Sequence, residues 1–564
     1  MATAPVEARS TGQKEESPKS SEAPHENAKL DYLTGVKLGL LVASMTLVCF
    51  LVLLDISIMS TAIPKITAQF HSLEDVGWYS GAFQLCTAAL QPLTGKFYTY
   101  FRNKDVFLLH LFVFEVGSLI CGLATSSGML IGGRAIAGAG GAGLMNGCLT
   151  IISNAVVGHK RPLYTGILLG FAQLGLISGP LIGGALTEHA TWRWCFYLNL
   201  PIGGIAAVVL VLVNINDKNS KTRYTIALIK KVIPLLDLPG FALFAPTCCM
   251  FLIALQFGGV TYPWNSATVI GLLVGSGVLL ILFMLWEARA GEDALIPKHL
   301  LKGHIMISSS IYNSFLAPIT MVTSLYMPVY YQAVKGVGPT ESGVDTLPSI
   351  LSQILLAVVG GAAVSKLGYY LPWATLGGVL AAIGCGLMST MDASTSTAAW
   401  AGYLFIAGAG RGAGMQMPLV AAQNNLPEKL IPTSLAFLIF AQGISGSVFI
   451  IISNTIFTQT LKSTLPMYAP SVSMQDALAA GASSDAIQQL VEGHRDELPG
   501  VLQAYSESLG NIWLMLMGFA CLIFLASFGM GWTDVRKKKE ATVEEKKTES
   551  ESKSASDAGV NQEV

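Results

Sequence analysis

The 564-residue chain is 52% hydrophobic and only 12% charged, with a formal net charge of −1. Soluble domains carry about a quarter charged residues, so this composition excludes an ordinary soluble protein, and the near-neutral balance excludes a basic nucleic-acid-binding surface. The nine cysteines stand in or beside apolar stretches without CxxC spacing, so neither a disulfide framework nor a metal site is expected.

Taken in chain order, residues 1–36 are rich in Glu, Lys, Ser and Pro with no apolar stretch, and read as a disordered cytoplasmic tail rather than a cleavable signal. A bilayer core needs about 20 apolar residues per helix, and windows of that length then recur almost throughout. They predict an N-terminal half of six spans in 37–214, a linker with two extra spans in 215–304, and a C-terminal half of six in 305–533. The fold class is thus an all-α polytopic membrane protein of about 14 transmembrane helices, arranged 6+2+6. A polar outer loop at 462–508 precedes the final span, and a second disordered cytoplasmic tail fills 534–564. Lys and Arg cluster in alternate connections, from Arg102 and Lys104 through Lys160 and Arg161 to Arg536, which places both termini in the cytoplasm.

Two short passages recur. Gly95-Lys-Phe-Tyr-Thr-Tyr-Phe-Arg-Asn-Lys104 ends the second span as Gly361-Ala-Ala-Val-Ser-Lys-Leu-Gly-Tyr-Tyr370 ends the tenth. Gly133-Arg-Ala-Ile-Ala-Gly-Ala-Gly in the fourth span is matched by Gly408-Ala-Gly-Arg-Gly-Ala-Gly in the twelfth. If the two linker spans are an insert, each pair falls at one position of two six-helix halves, the parallel-repeat plan of a class of secondary transporters.

Several ionisable residues stand inside spans, where they are functional by default. Asp55 lies about 17 residues into an ascending helix and Arg134 near the start of a descending one, so at 1.5 Å per residue their depths agree within about one turn. They read either as a static ion pair fixing the packing, or as a proton-coupling carboxylate with its basic partner. Glu115, near the midplane, reads as a ligand for a cationic substrate, a second proton carrier, or a carboxyl hydrogen-bonded to a neighbouring helix. Arg411 reads as a cavity-facing partner by its echo with Arg134, or as a cation satisfied by helix carbonyls. His110 has no second ligand at helical spacing and is expected to be a hydrogen-bonded packing residue. Gly138–Gly143 fits GxGxxG, but no strand precedes it, so no dinucleotide site follows, and no P-loop is present to suit an ATP-driven pump. Trp78, Tyr79, Trp264, Tyr326, Tyr330, Tyr331, Trp373, Trp400 and Trp513 mostly stand near span ends, where interfacial belts explain most of them and stacking against an aromatic substrate is the alternative for one or two.

Four passages carry a family resemblance. The first span holds Leu54-Asp-Ile-Ser-Ile-Met-Ser-Thr-Ala-Ile-Pro64, and Gly95 to Lys104 form a loop motif in which Thr99 and Arg102 stand where Asp and Gly are usual. Gly166, Gly175, Gly179, Pro180, Gly183 and Gly184 form a spaced glycine-proline motif in the fifth span, followed by Trp192-Arg-Trp-Cys-Phe-Tyr-Leu-Asn-Leu-Pro-Ile-Gly203. On these residues the chain resembles the major facilitator superfamily, specifically its fourteen-helix drug:proton antiporter branch, which includes fungal toxin and multidrug efflux carriers. The resemblance implies the major facilitator fold and a central cavity opening alternately to each side. It also implies proton-coupled efflux of small amphipathic molecules, whether toxin, secondary metabolite or drug. The implied partners are substrate, protons and the cell-membrane bilayer, with no cofactor beyond the proton gradient, no enzyme activity and a monomeric chain. Similar proteins load vacuoles with basic amino acids, and a non-transporting sensor of the same fold is a further alternative.

Overall fold

In the computed structural model of the protein, the described residues are 33–71, 75–213, 232–259, 262–291, 294–298, 300, 303–474, 477, 487 and 495–536. The two expected tails, the linker charge run 218–231 and much of the expected outer loop lie outside them, as does the side chain of Pro180.

Lipid offers the backbone no water to bond, so an apolar stretch must satisfy its N–H and C=O groups internally. Accordingly, every regular element among the described residues is helical, apart from two isolated bridges, Gly258 with Tyr262 and Tyr369 with Asp534. The first group is α1 (Gly35–Phe70), α2 (Val76–Tyr100), α3 (Asn103–Gly122), α4 (Ser127–Ala155), α5 (Arg161–His189) and α6 (Asn199–Leu212). Next come α7 (Leu238–Phe257) and α8 (Ala267–Ala290). The last group is α9 (His304–Val329), α10 (Leu347–Leu367), α11 (Leu371–Met388), α12 (Thr397–Gly414), α13 (Ile431–Tyr468) and α14 (Leu498–Ser527). Short helices Trp194–Tyr197, Pro339–Asp345 and Met417–Asn425 adjoin α6, α10 and α12. Among the described residues, 11 helical segments are long and apolar enough to cross a membrane; α2, α5 and α12 are not among them.

Helices overrun the expected spans. Apolar windows end the first span near Ala62 and the thirteenth near Leu461 and start the last near Gly510, whereas α1 runs to Phe70, α13 to Tyr468 and α14 begins at Leu498, so helix extends into both ends of the expected outer loop 462–508. Hydropathy reports the width of the lipid, whereas a helix ends where its caps end it.

Both groups of six use one pairing scheme. In the first, α1 packs on α5, α3 on α4, and α2 on α4; in the last, α9 packs on α13, α11 on α12, and α10 on α12. The extra pair α7 and α8 pack on each other and α7 lies beside α2, with the Phe244 ring of α7 between Phe283 of α8 and Phe440 of α13, its centroid 5.2 and 5.0 Å from theirs. Both described chain ends lie at one end of the bundle, called here the terminal end. The Leu33 N–H donates to the Ala155 carbonyl at the end of α4 (3.2 Å), and the Val535 N–H to the Gly368 carbonyl just past α10 (2.9 Å).

The terminal end is closed between the two groups. A Cβ on Gly95 of α2 would stand 2.8 Å from Thr433 Cα and 3.2 Å from the Pro432 carbonyl of α13. Its counterpart Gly361 of α10 meets Pro162 and Leu163 of α5, with 3.0 Å to Leu163 Cα. The hydrophobic cluster at this end joins Leu41 and Leu144 of the first group to Leu435 and Leu438 of the last. At the distal end, the cluster of Ile58, Ile66, Tyr79, Leu130 and Phe196 contains no buried residue from α9 to α14.

Candidate functional site

The polar centre of the first group is built from five helices. Asp55 projects from α1 after about 20 residues, roughly 30 Å from the terminal end of that helix, which puts it in the distal half. Arg134, two turns into α4, reaches it: Arg134 Nη1 and Asp55 Oδ2 form an ion pair whose side chains are 1% and 0% exposed. The guanidinium is held on three sides. Its Nε–H donates to the Tyr79 carbonyl of α2 at 2.8 Å, and its carbon lies 4.6 Å over the Phe83 ring. The second Asp55 oxygen, Oδ1, accepts from Asn199 Nδ2 at the first residue of α6 (3.2 Å), and the same amide donates to Ser118 Oγ of α3 (3.0 Å).

A buried charge pair holds only when its remaining lone pairs and protons are satisfied. Asn199, Tyr79 and Phe83 supply that shell here. No role for these three residues was readable beforehand, because each is polar or aromatic within an apolar run and its partner lies on a helix distant in sequence. The one signal was Asn199 itself, an amide at the start of an otherwise apolar span.

Glu115 stands one turn below Ser118 on α3. Both of its carboxyl oxygens are buried without a hydrogen-bond partner among the described residues, so of its three readings the bond to a neighbouring helix is not seen there. Its Oε1 occupies the place a Cβ on Gly203 would take, and only glycine lets α6 pass there.

Arg411 corrects the expected echo. Gly138 packs on Phe83 of α2 and Gly140 on Phe114 of α3, as Gly408 packs on Ser349 of α10 and Gly410 on Ala381 of α11. In that register Arg411 matches Gly141, not Arg134, and sits about two turns nearer the terminal end. Its Nη2 donates to Ser349 Oγ, its Nε is buried without an acceptor, and no carboxylate reaches it among the described residues.

The glycine-proline motif on α5 divides its work. Gly175, Gly179 and Gly183 seat the distal part of α5 on Phe50, Ser57 and Thr61 of α1, with Ser57 Oγ donating to the Gly175 carbonyl at 3.0 Å. Gly166 instead crosses to the other group, where a Cβ would lie 2.5 Å from the Ala357 carbonyl and from Gln416 Oε1; a Cβ on Gly184 would meet no other element within 4 Å. Of the loop motif, Gly95 closes on α13 as described, while Lys104 at the start of α3 turns to α6. It donates to the Val211 and Val213 carbonyls at 2.8 and 3.0 Å, satisfying the end of α6. His110 packs as expected, bonded to the Val106 carbonyl at 2.8 Å and stacked on Tyr98. Trp513 and Tyr326 are buried at 1% and 6% exposure rather than interfacial; a sequence window finds the end of a span but not the face on which an aromatic ring sits. The nine cysteines are free, and no metal-binding cluster occurs among the described residues.

This arrangement of two packed helix groups is shared with known proteins. Residues 45–450 match the Major Facilitator Superfamily. The chain is 49% identical over 536 residues to the MFS-type transporter calB of Penicillium decumbens, covering 94% of this chain and 95% of that one. It is 46% identical over 543 residues to the efflux pump mlcE of Penicillium citrinum, covering 95% and 97%. Among solved structures, the human organic anion transporter MFSD10 shares the fold with a TM-score of 0.54 at 10% identity, over 86% of this chain and 100% of that one. The protein is a multi-pass membrane protein and belongs to the major facilitator superfamily.

Proposed function

We propose that the chain is a secondary active exporter that moves small amphipathic molecules, of the toxin, secondary-metabolite or drug kind, out of the cell in exchange for protons. The relatives named as efflux pumps support export. The observation that carries proton exchange is the ion pair of Asp55 and Arg134, wholly buried yet assembled from five helices. An intramembrane carboxylate is stable only with its partner or with a proton. When the helices move apart, Asp55 exchanges Arg134 for a proton; when they return, the proton leaves. The proton gradient is the energy source and no cofactor takes part.

In this reading α2, α5 and α12 also cross the bilayer, giving fourteen crossings in two six-helix halves with α7 and α8 inserted. The terminal end then faces the cytoplasm of a monomeric protein in the cell membrane, and the structure corresponds to the outward-open state, because the seal lies at the terminal end. The test is export from proteoliposomes under an imposed pH gradient. Asp55→Asn should reduce gradient-driven export by about tenfold or more, while purified protein inserts and binds substrate. Undiminished gradient-driven export would refute proton coupling at Asp55.

A further inference from the structure

The seal at the terminal end contains buried polar side-chain atoms that have no hydrogen-bond partner among the described residues. Gln91 of α2 and Gln423 beyond α12 are 1% and 0% exposed, and neither amide oxygen nor amide nitrogen of either has a partner. The Asn146 and Gln416 side-chain oxygens, and the Thr150 and Ser153 hydroxyls, are likewise buried without one. Packed proteins satisfy nearly all such groups, and a cluster left unmet at one end of a bundle calls for a cause.

The placement of Gln91 and Gln416 ties this cluster to the seam. Gln91 lies one turn from Gly95 on the face that meets α13. Asn146 donates to Thr94 of that same helix at 3.2 Å, and Thr150 and Ser153 follow it on one face of α4 at helical spacing. Gln416 abuts Gly166 of α5 across the seam and donates to the Ala357 carbonyl at 2.8 Å. In the register that pairs Gly138 with Gly408, Asn146 matches Gln416 and Ser153 matches Gln423. The two halves therefore contribute matching neutral donors and acceptors. The two buried cationic side chains at this end are already engaged: Arg161 donates to the Val156 carbonyl at 3.3 Å, and Lys96 has a partner.

We propose that this seam is a hydrogen-bonding wall of the transport pathway, exposed when the terminal end opens, and that it binds uncharged amphipathic molecules bearing carbonyl or hydroxyl groups. The proposal rests on the alternating reading above. An amide presents both donors and an acceptor, so it matches a ketone, lactone or hydroxyl; without a carboxylate the wall offers nothing specific to a cation. The same unmet groups burden the sealed state, which favours its opening.

The test uses full-length Gln91→Leu, Gln423→Leu and the double variant in detergent, with thermal unfolding and scintillation-proximity binding of two probes. Tritiated progesterone is an uncharged carbonyl-bearing amphiphile; tritiated tetraphenylphosphonium is a cation that makes no hydrogen bonds. The expected result is a higher Tm for each variant, progesterone binding weakened roughly fivefold or more, and phosphonium binding changed by less than about twofold. A lowered Tm would mean that the glutamines are satisfied structural residues and would overturn the proposal. So would undiminished progesterone binding, equal loss of both probes, or a wild-type protein that binds no progesterone. Failure of proton-driven export alone, with these binding results intact, would refute the coupling reading and leave the wall standing.

Discussion

Arg134 and Arg411 are both buried arginines on glycine-rich helices, one in each six-helix group, and their surroundings differ in kind. Arg134 holds a carboxylate, a carbonyl and an aromatic face. Arg411 holds one hydroxyl and leaves Nε unmet. The scaffold repeats and the charge chemistry does not. Helix pairing, the glycine contacts and the closing contacts at Gly95 and Gly361 obey a common register, whereas the ion pair belongs to one group alone. A two-fold scaffold suits a motion that opens each end in turn, and placing the titratable site in one half suits a single coupling step.

The largest effect that would break this contrast is at Arg134. Arg134→Ala strands the Asp55 carboxylate in a buried site and should cost about 3–5 kcal/mol of stability, read as a fall in Tm of the purified protein. The double variant Asp55→Asn with Arg134→Gln removes both charges, so it should recover much of that stability while gradient-driven transport stays lost. Recovery of both would reduce the pair to a packing device. Arg411→Met should be milder, within about 1 kcal/mol, because no opposing charge is left behind. The pH dependence of transport should be unchanged in that variant, and a shifted pH profile would place a coupling group in the last six helices as well.

The smallest effect lies outside the membrane segments. In the loop between α11 and α12, the Asp392 carboxylate accepts from Ser394 Oγ at 2.7 Å, Thr395 Oγ1 at 3.0 Å and the Ser394 N–H at 2.8 Å. The Ser394 hydroxyl foremost, with Thr395 and the loop N–H groups, holds its pKa below the ordinary carboxylate value. A depressed folded-state pKa stabilises at neutral pH and is lost on acidification, so Asp392→Asn should lower Tm slightly near pH 7 and converge with wild type below about pH 3–4. A difference that persists at low pH would point to loop packing instead of charge. Against Asp55, this exposed carboxylate shows how little a titratable group contributes when water already solvates it.

The helices and their order were legible because lipid imposes a length and an apolarity on every crossing, and the depths of Asp55 and Arg134 followed from counting residues along α1 and α4. What stayed hidden depended on facing. Asn199, Tyr79 and Phe83 complete the ion pair from two other helices, α6 and α2, and sequence separation says nothing of such meetings. Lys104 looked like part of a turn and instead caps α6, because a lysine stem reaches carbonyls that a motif does not display. The arginine echo failed for a related reason: short glycine-rich strings align in several registers, and only the packing of Gly138 and Gly408 selects one.

Proton exchange on substrate binding tests the central claim most directly, because it reads the exchange at Asp55 without requiring net transport. Purified wild-type protein, mixed with a transported substrate in weakly buffered solution containing a pH indicator, should show a pH step as Asp55 trades Arg134 for a proton or the reverse, and Asp55→Asn should show none while binding the same substrate. Equal pH steps from the two proteins would contradict the account.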